Sequence, residues 1–206
     1  MAIDLGALLD PRHTAVVTSE VQNSVVGEHS ALPALAEAAR PMIANVARLC
    51  AAAREHGAQV IHCTAARRAD GKGSNQNARL FLGVRKSPVT MLPGTAEVNV
   101  VPELGPDERD LVLSRLHGLN PMAGTDLDPV LRNLGITTIV VTGVSVNIAV
   151  TNLVMDAVNL GYQAVVPRDA VTGIPADYAD ALIDNTLALL ATVTSTDDVL
   201  RAWKDA

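Results

Sequence analysis

The chain has 206 residues, of which 49% are hydrophobic and 18% are charged, so it is long enough and apolar enough to bury one core. A net charge of −6 and an aromatic content of 2% argue against nucleic acid as a partner, because such partners require basic surfaces and stacking rings. Two cysteines are too few for a disulfide framework, and the absence of a signal-peptide pattern or a membrane-length apolar run predicts a cytoplasmic protein without membrane association.

Six short runs rich in β-branched residues predict β-strands. In chain order they span residues 14–19, 58–63, 110–115, 137–143, 162–167 and 191–196. Most are continuously apolar, as are strands buried on both faces of a parallel sheet. Helical patterns separate them, and several end at a glycine such as Gly57 or Gly161. The alternation predicts one α/β domain over residues 1–206, with a six-stranded, mostly parallel sheet in a three-layer αβα architecture of Rossmann-like topology.

Residues 64–97, hereafter the 64–97 segment, form a long excursion between the second and third predicted strands. The stretch "RRADGKGSNQNARLFLGVRK" within it is polar and contains three glycines. Loops of this length are uncommon in compact domains and are usually functional. We therefore expect this segment to be a lid or insertion over a binding site.

The ends of the predicted strands are where a ligand is expected, because open parallel sheets bind ligands beyond the carboxyl ends of their strands. Glu20 follows the first strand, and partial desolvation at such a position suits a carboxylate to proton transfer. Gln22 and Asn23 come next and would orient it. The alternative is a glutamate that only hydrogen-bonds a neighbouring loop.

Arg115 and His117 lie at the end of the third strand. An arginine there would neutralise a carboxylate on the protein or on a substrate, and a histidine would transfer protons. The alternative for both residues is a solvated strand end without a function.

Cys63 ends the second strand on the side of the sheet where the ligand is expected. A nearby cation would make it a relocated nucleophile, whereas an isolated cysteine in an apolar strand is usually a small buried residue. His62 alternates to the opposite face, where we expect a hydrogen-bonded core histidine. Cys50 lies within a predicted helix as a structural residue.

Three segments, in order along the chain, resemble the isochorismatase-like hydrolases, also called the cysteine hydrolase superfamily. They are "AVVTSEVQNSVV", "LPGTAEVNVVPEL" and the long block that runs from "GTDLDPVLRNLG" to "RDAVTG". The likeness extends from about residue 12 to residue 196. It implies the isochorismatase-like fold for the whole domain.

The resemblance also identifies the positions of a catalytic triad. Family enzymes that cleave amides use an aspartate, a lysine and a cysteine; the corresponding positions here hold Glu20, either Arg115 or Leu116, and Ala149. All three positions therefore depart from the family pattern. Isochorismatase proper also lacks the cysteine and relies on a carboxylic acid as proton donor, so a hydrolase driven by Glu20 is compatible with the resemblance.

The turn after the fourth strand has a family counterpart as well. In the family, the peptide bond that matches Val144–Ser145 is cis, and N–H groups of this turn form an oxyanion hole. The expected substrate-binding residues are Gln22, Asn23, His117, Val144, Ser145, Asn147 and Ile148. No metal or other cofactor is expected, because the Asp and His cluster of nicotinamidase-like members is missing after the second strand. Homo-oligomers are usual in the family, which implies a homodimer or homotetramer.

Two functions follow from these observations. The first is a hydrolase that acts on a small, anionic molecule without a cysteine nucleophile, with Glu20 as general acid or base and Arg115 as its electrostatic partner. The alternative is a catalytically inactive family member that binds a small ligand or serves as a scaffold, and the apolar Leu116, Ile148 and Ala149 favour it. Analogy at the level of the fold favours the hydrolase.

Overall fold

The structure is a computed structural model that describes residues 4–205. Its strands are β1 (Thr14–Ser19), β2 (Gln59–Ala65), β3 (Leu111–Arg115), β4 (Thr138–Val144), β5 (Gln163–Pro167), β6 (Val171–Thr172) and β7 (Thr192–Thr194). Its α-helices are α1 (Leu5–Leu8), α2 (Asn23–Val26), α3 (Pro33–His56), α4 (Arg79–Lys86), α5 (Leu127–Asn133), α6 (Thr151–Asn159), α7 (Ala176–Leu182), α8 (Ala188–Leu190) and α9 (Thr196–Lys204). Two π-helical turns, Val146–Val150 and Ile183–Leu187, lead into α6 and α8. Within residues 4–205, none of the helices has the length and apolar content needed to cross a bilayer.

One sheet contains seven strands, in the order β3-β2-β1-β4-β5-β7, with β6 paired to the end of β4. The pairings between these strands are all parallel. Each of the six predicted strands is present, which confirms the α/β class. The additional strand, β6, has two residues and is too short to produce a periodic pattern in the sequence.

Alternate residues of the central strands contribute to two hydrophobic clusters, one on each face of the sheet. Val16 and Val140 pack in the cluster that includes α3 and α9, whereas Val17 and Val141 pack in the cluster that includes α5 and α6. Burying one such aliphatic side chain contributes about 1.5–3 kcal/mol. Because both faces of the sheet are covered, the strand sequences are continuously apolar and do not alternate between apolar and polar residues.

Gly143 lies near the end of β4, between β1 and β6. It pairs with Ser19 on one side and with Val171 of β6 on the other. Its φ is +101°, and a Cβ atom at this position would lie 2.3 Å from the carbonyl oxygen of Ser19. Only glycine fits this conformation and this contact. The close approach brings the turn that follows β4 against the end of β1, where Glu20 is located.

The 64–97 segment differs from the expected loop in two respects. Its first two residues belong to β2, which extends to Ala65, and it contains helix α4 (Arg79–Lys86). None of the residues of α4 is fully buried. The helix therefore lies on the surface, outside the two hydrophobic clusters.

Candidate active site

A cavity of about 180 Å³ lies beyond the carboxyl ends of β1, β2 and β3. Its wall includes Glu20 after β1, Arg115 at the end of β3, and Ser145, Ile148 and Ala149 from the turn after β4. Much of the remaining wall comes from the 64–97 segment. Four separate parts of the chain thus meet at this cavity, at the edge of the sheet where ligands of parallel sheets bind.

Glu20 adopts a backbone conformation that is unusual for a residue with a side chain. Its φ is +55°, in the left-handed region, which costs of order 1–3 kcal/mol and is found mainly where the surroundings enforce it. Its N–H group donates to the carbonyl oxygen of Cys63 at 2.9 Å. The backbone turns at this point, so Glu20 does not continue β1. Its carboxylate belongs to the cavity wall.

Arg115 forms an ion pair with Glu20, in which Nη2 donates to Oε1 of the carboxylate. Arg115 is only 8% exposed. Its second terminal nitrogen, Nη1, is buried and has no hydrogen-bond partner within residues 4–205. Of the two candidates for the cation position, Arg115 therefore contacts the carboxylate, whereas Leu116 contributes an apolar surface to the same cavity.

Ala149 lines the cavity at the position of the family cysteine. Its side chain is a methyl group, so no nucleophilic atom is available from this residue. Cys63 does not replace it. The Cys63 thiol is buried within the cluster that contains Val17 and Ile61, and burial raises its pKa to about 12. The hypothesis of a relocated nucleophile at Cys63 is therefore wrong.

The turn after β4 presents only part of its predicted set of residues to the cavity. The Val144–Ser145 peptide bond is cis. Ser145 and Ile148 line the cavity, but Val144 is buried in the core, where its carbonyl oxygen accepts a hydrogen bond from the Ser19 hydroxyl at 3.0 Å. Val144 therefore lies behind the turn and does not line the cavity.

Asn147 is also engaged within the protein. Its Nδ2 donates to the Ile174 carbonyl oxygen at 2.8 Å, and its Oδ1 accepts from the Ser145 hydroxyl at 2.8 Å. The N–H groups of Ile148 and Val150 both donate to the Ser145 carbonyl oxygen, at 3.0 and 3.1 Å. The N–H group of Ile148, and that of Val150 after it, are therefore already bonded inside the turn.

Gln22 and Asn23 attach the 64–97 segment to the sheet, and neither lines the cavity. Gln22 is completely buried; it accepts a hydrogen bond from the Ala65 N–H at 2.6 Å and donates to the Ala65 carbonyl at 2.9 Å. Asn23 donates to the Ala96 carbonyl oxygen at 2.8 Å. Their polar atoms hold the two ends of the segment, and the predicted substrate-binding role of both residues stays a prediction.

The rest of the segment is held against the end of β3. The N–H group of Gly118 donates to Oδ1 of Asn75 at 2.9 Å, and the exposed His117 beside it lines the cavity. Ser74, next to Asn75, also lines the cavity, and its hydroxyl oxygen is buried without a partner within residues 4–205. The sequence identified this segment by its length, but it gave no indication that Ser74 turns inward.

Comparisons with known proteins agree with this architecture. A family profile for the isochorismatase domain matches residues 14–198. A ureidoacrylate amidohydrolase, RutB, from Pseudomonas syringae pv. syringae is 29% identical over 205 residues, which covers 92% of this chain and 83% of that protein.

Two solved structures are similar over nearly the whole chain. A cysteine hydrolase from Pseudomonas syringae pv. phaseolicola has a TM-score of 0.81 at 23% identity, covering 96% of this chain and 95% of the other. An isochorismatase family protein from Desulfovibrio vulgaris has a TM-score of 0.80 at 28% identity, covering 92% of this chain and 99% of the other. The first of these likenesses speaks for the fold alone.

Proposed function

The chain belongs to the isochorismatase family, and we propose that it hydrolyses a small molecule by general acid–base catalysis without a covalent intermediate. The observation that carries this proposal is the Glu20–Arg115 ion pair in the wall of the cavity. A relative that resembles almost the whole chain is named as an amidohydrolase. A carbonyl carbon–nitrogen bond is therefore the first bond to test.

Water is the nucleophile in this proposal, because Ala149 has no nucleophilic atom. Glu20 takes a proton from water while the water oxygen bonds to the carbonyl carbon. The positive charge of Arg115, in the cavity wall beside Glu20, stabilises the oxygen on which negative charge develops. Glu20 then returns the proton to the leaving nitrogen as the carbon–nitrogen bond breaks. The products are a carboxylic acid and an amine, and the Glu20 carboxylate is regenerated.

A second candidate function is binding without turnover. It is favoured by the apolar side chains of Leu116 and Ile148, which line the cavity together with the ion pair and offer no further catalytic group. In this case the protein uses the family fold and cavity to hold a nonpolar ligand or to act as a scaffold.

Replacing Glu20 with glutamine distinguishes the two functions. Wild-type protein is first incubated with a panel of small amides, esters and enol ethers to find a compound that is turned over. If Glu20 is the general base, Glu20→Gln lowers kcat by about 10²–10⁴-fold, the usual contribution of such a group. The glutamine still accepts a hydrogen bond from Arg115 but leaves its charge without a partner, so the melting temperature should fall, and kcat is compared at a temperature at which both proteins are folded.

Glu28→Gln is the matched control, since Glu28 is exposed and does not line the cavity. It should leave kcat and the melting temperature unchanged. Turnover that survives in Glu20→Gln would contradict the proposed mechanism. Affinity that changes in Glu20→Gln, with no turnover by the wild type on any compound, would support the binding protein instead.

A further inference from the structure

Residues 68–90, hereafter the 68–90 loop, make up most of the 64–97 segment and are closed at their base by a backbone hydrogen bond. The N–H group of Arg67 donates to the Met91 carbonyl oxygen at 2.6 Å. Met91 packs against the hydrophobic cluster that includes α3. The base of the loop is therefore fixed to the domain.

Above this base, the loop has a single hydrogen bond to the rest of the described chain. Oδ1 of Asn75 accepts from the Gly118 N–H group, which follows β3, at 2.9 Å. Within residues 4–205, no other hydrogen bond and no ion pair joins the 68–90 loop to a residue outside 67–91, because the Arg68–Asp70 pair lies within the loop. One bond between side chain and backbone therefore connects the whole loop to the end of β3.

Apolar packing adds little to this attachment. Phe81 and Val84 of α4 are half-buried, but they pack against neither of the two hydrophobic clusters formed by the described residues. Leu80 and Leu82 are 40% and 44% exposed. A segment with so few buried apolar contacts opens at a much lower free energy than the core of a domain.

The 68–90 loop forms part of the wall of the cavity described above the sheet. Ser74, Asn75 and Phe81 line this cavity together with Glu20 and Arg115. A movement of the loop away from β3 would therefore open the cavity and uncover the ion pair.

Ser74 and Asn75 have opposite effects on closure of the loop. The Ser74 hydroxyl oxygen is buried and has no partner within residues 4–205, whereas water would bond it in an open loop. Burying a polar group without a partner costs free energy, so Ser74 opposes closure. The hydrogen bond between Asn75 and Gly118 favours closure.

We propose that the 68–90 loop is a lid that pivots at its base, between Arg67 and Met91, and that the hydrogen bond between Asn75 and Gly118 is the latch that holds it closed. Lids of this kind admit ligands when open and exclude water when closed. The inference goes beyond the proposed function, because it concerns entry to the cavity and applies to hydrolysis and to binding alike.

Hydrogen–deuterium exchange of the full, ligand-free chain tests the latch, with mass spectrometry of peptides that cover α4. These peptides have the same sequence in every variant used. Helix α4 has eight residues, and a helix of that length is not stable alone in water, so its amides lose their protection when the lid opens.

Three variants should change the exchange of α4 in different directions. Asn75→Ala removes the acceptor of the Gly118 N–H group and should make exchange about fivefold faster, the usual effect of one lost hydrogen bond on an equilibrium. Asn75→Asp keeps an acceptor and should restore the wild-type rate. Ser74→Ala removes the hydroxyl that opposes closure and should make exchange about fivefold slower.

Thr90→Ala is the matched control. Thr90 is exposed, lies in the same loop outside the cavity wall, and makes no hydrogen bond through its side chain within residues 4–205. This variant should exchange like the wild type. Peptides over β1 and β4 should exchange at the same rate in every variant, because the lid lies outside the core.

The inference is overturned if Asn75→Ala or Ser74→Ala exchanges like the wild type over α4, or if Asn75→Asp exchanges like Asn75→Ala. Faster exchange of β1 and β4 in Asn75→Ala would also overturn it, since the bond would then support the whole domain. Exchange of wild-type α4 at the rate of an unfolded peptide would show that the loop does not close. No substrate is used, so failure to find turnover would count against the proposed function and leave this result unchanged.

Discussion

Two buried ion pairs lie at opposite ends of the edge strand β3 (Leu111–Arg115), and they differ in how completely their polar atoms are hydrogen-bonded. Asp110, just before the strand, accepts hydrogen bonds from Nη2 of Arg54 at 2.7 Å and from the Asp107 N–H group at 2.9 Å. At the other end, Arg115 bonds Glu20 but leaves Nη1 without a partner within residues 4–205. The first pair is enclosed by protein, whereas the second faces the cavity.

The pair at Asp110 belongs to a longer network. Nε2 of His62 lies 3.2 Å from the Asp110 carboxylate, and Nδ1 of the same ring is hydrogen-bonded to the Thr18 hydroxyl at 2.9 Å. Arg54 also donates to the Leu104 carbonyl oxygen at 3.2 Å. A completely bonded network of this kind supports the fold, whereas an incompletely bonded pair next to a cavity is poised for a ligand. The comparison therefore separates polar groups enclosed in the fold from the polar groups of the proposed site.

Removing the carboxylate of Asp110 tests the stabilising role most severely. Asp110→Ala leaves Arg54 buried without its charge partner and should lower the free energy of unfolding by about 3–5 kcal/mol, the usual cost of breaking a buried pair. Urea denaturation measures this change. Asp70→Ala is the control, because Asp70 pairs with Arg68 on an exposed part of the surface, and its stability should match the wild type. Equal free energies of unfolding for the two variants would show that the pair at Asp110 stabilises the protein no more than an exposed pair.

The two networks were not equally accessible to prediction from the sequence. His62 was expected to be a hydrogen-bonded core histidine opposite Cys63, and the structure confirms this through the alternation of side chains along a buried strand. Its partner Asp110 precedes β3 in a polar stretch and carries no signal of burial, because burial there results from tertiary contacts with α3. Periodicity thus identified one member of the network and missed the other.

The candidate site was likewise predicted in part. Glu20 and Arg115 follow from the rule that strand ends in parallel sheets meet at one edge. The sequence did not indicate the contact of Gln22 with Ala65, which follows the left-handed φ of Glu20 two residues earlier. A local backbone conformation of this kind has no signature in residue type, since glutamate rarely adopts it. The inward orientation of Ser74 depends in the same way on the hydrogen bond that its neighbour Asn75 makes after β3.

The pH dependence of stability provides a second test of the enclosed network. The pKa of His62 is lowered because burial outweighs the attraction of the Asp110 carboxylate, and Arg54 lowers it further. Below pH 6.5 the unfolded chain therefore binds a proton that the folded chain does not bind. The free energy of unfolding should fall as the pH drops from about 6.5 towards the lowered pKa, by at most about 1.4 kcal/mol per pH unit.

His62→Gln should remove this part of the pH dependence, whatever its effect on stability at neutral pH. The slope is obtained from urea titrations between about pH 7 and pH 5. The exposed His29 offers the control His29→Gln, which should keep the slope of the wild type. The pKa of Asp110 is lowered from 3.8, since the hydrogen bonds from Arg54 and Asp107 outweigh the effect of burial. Protonation of Asp110 therefore lowers the free energy of unfolding only below pH 3.8, which is outside the range from about pH 7 to pH 5. An unchanged slope in His62→Gln would show that the ring does not titrate as an enclosed group.

The smallest expected change in the free energy of unfolding is that of Ser74→Ala in the cavity wall. It is compared with Thr18→Val in the enclosed network. Thr18→Val removes the hydroxyl that bonds His62 and should cost about 1–3 kcal/mol, because a buried ring nitrogen loses its partner. Ser74→Ala removes a hydroxyl that has no partner within residues 4–205, so the free energy of unfolding without ligand should stay within about 0.5 kcal/mol of the wild type or rise. Urea titrations of both variants measure the difference. Equal losses would mean that the Ser74 hydroxyl is as well bonded in solution as that of Thr18, and the distinction between an enclosed network and a site poised for a ligand would no longer hold.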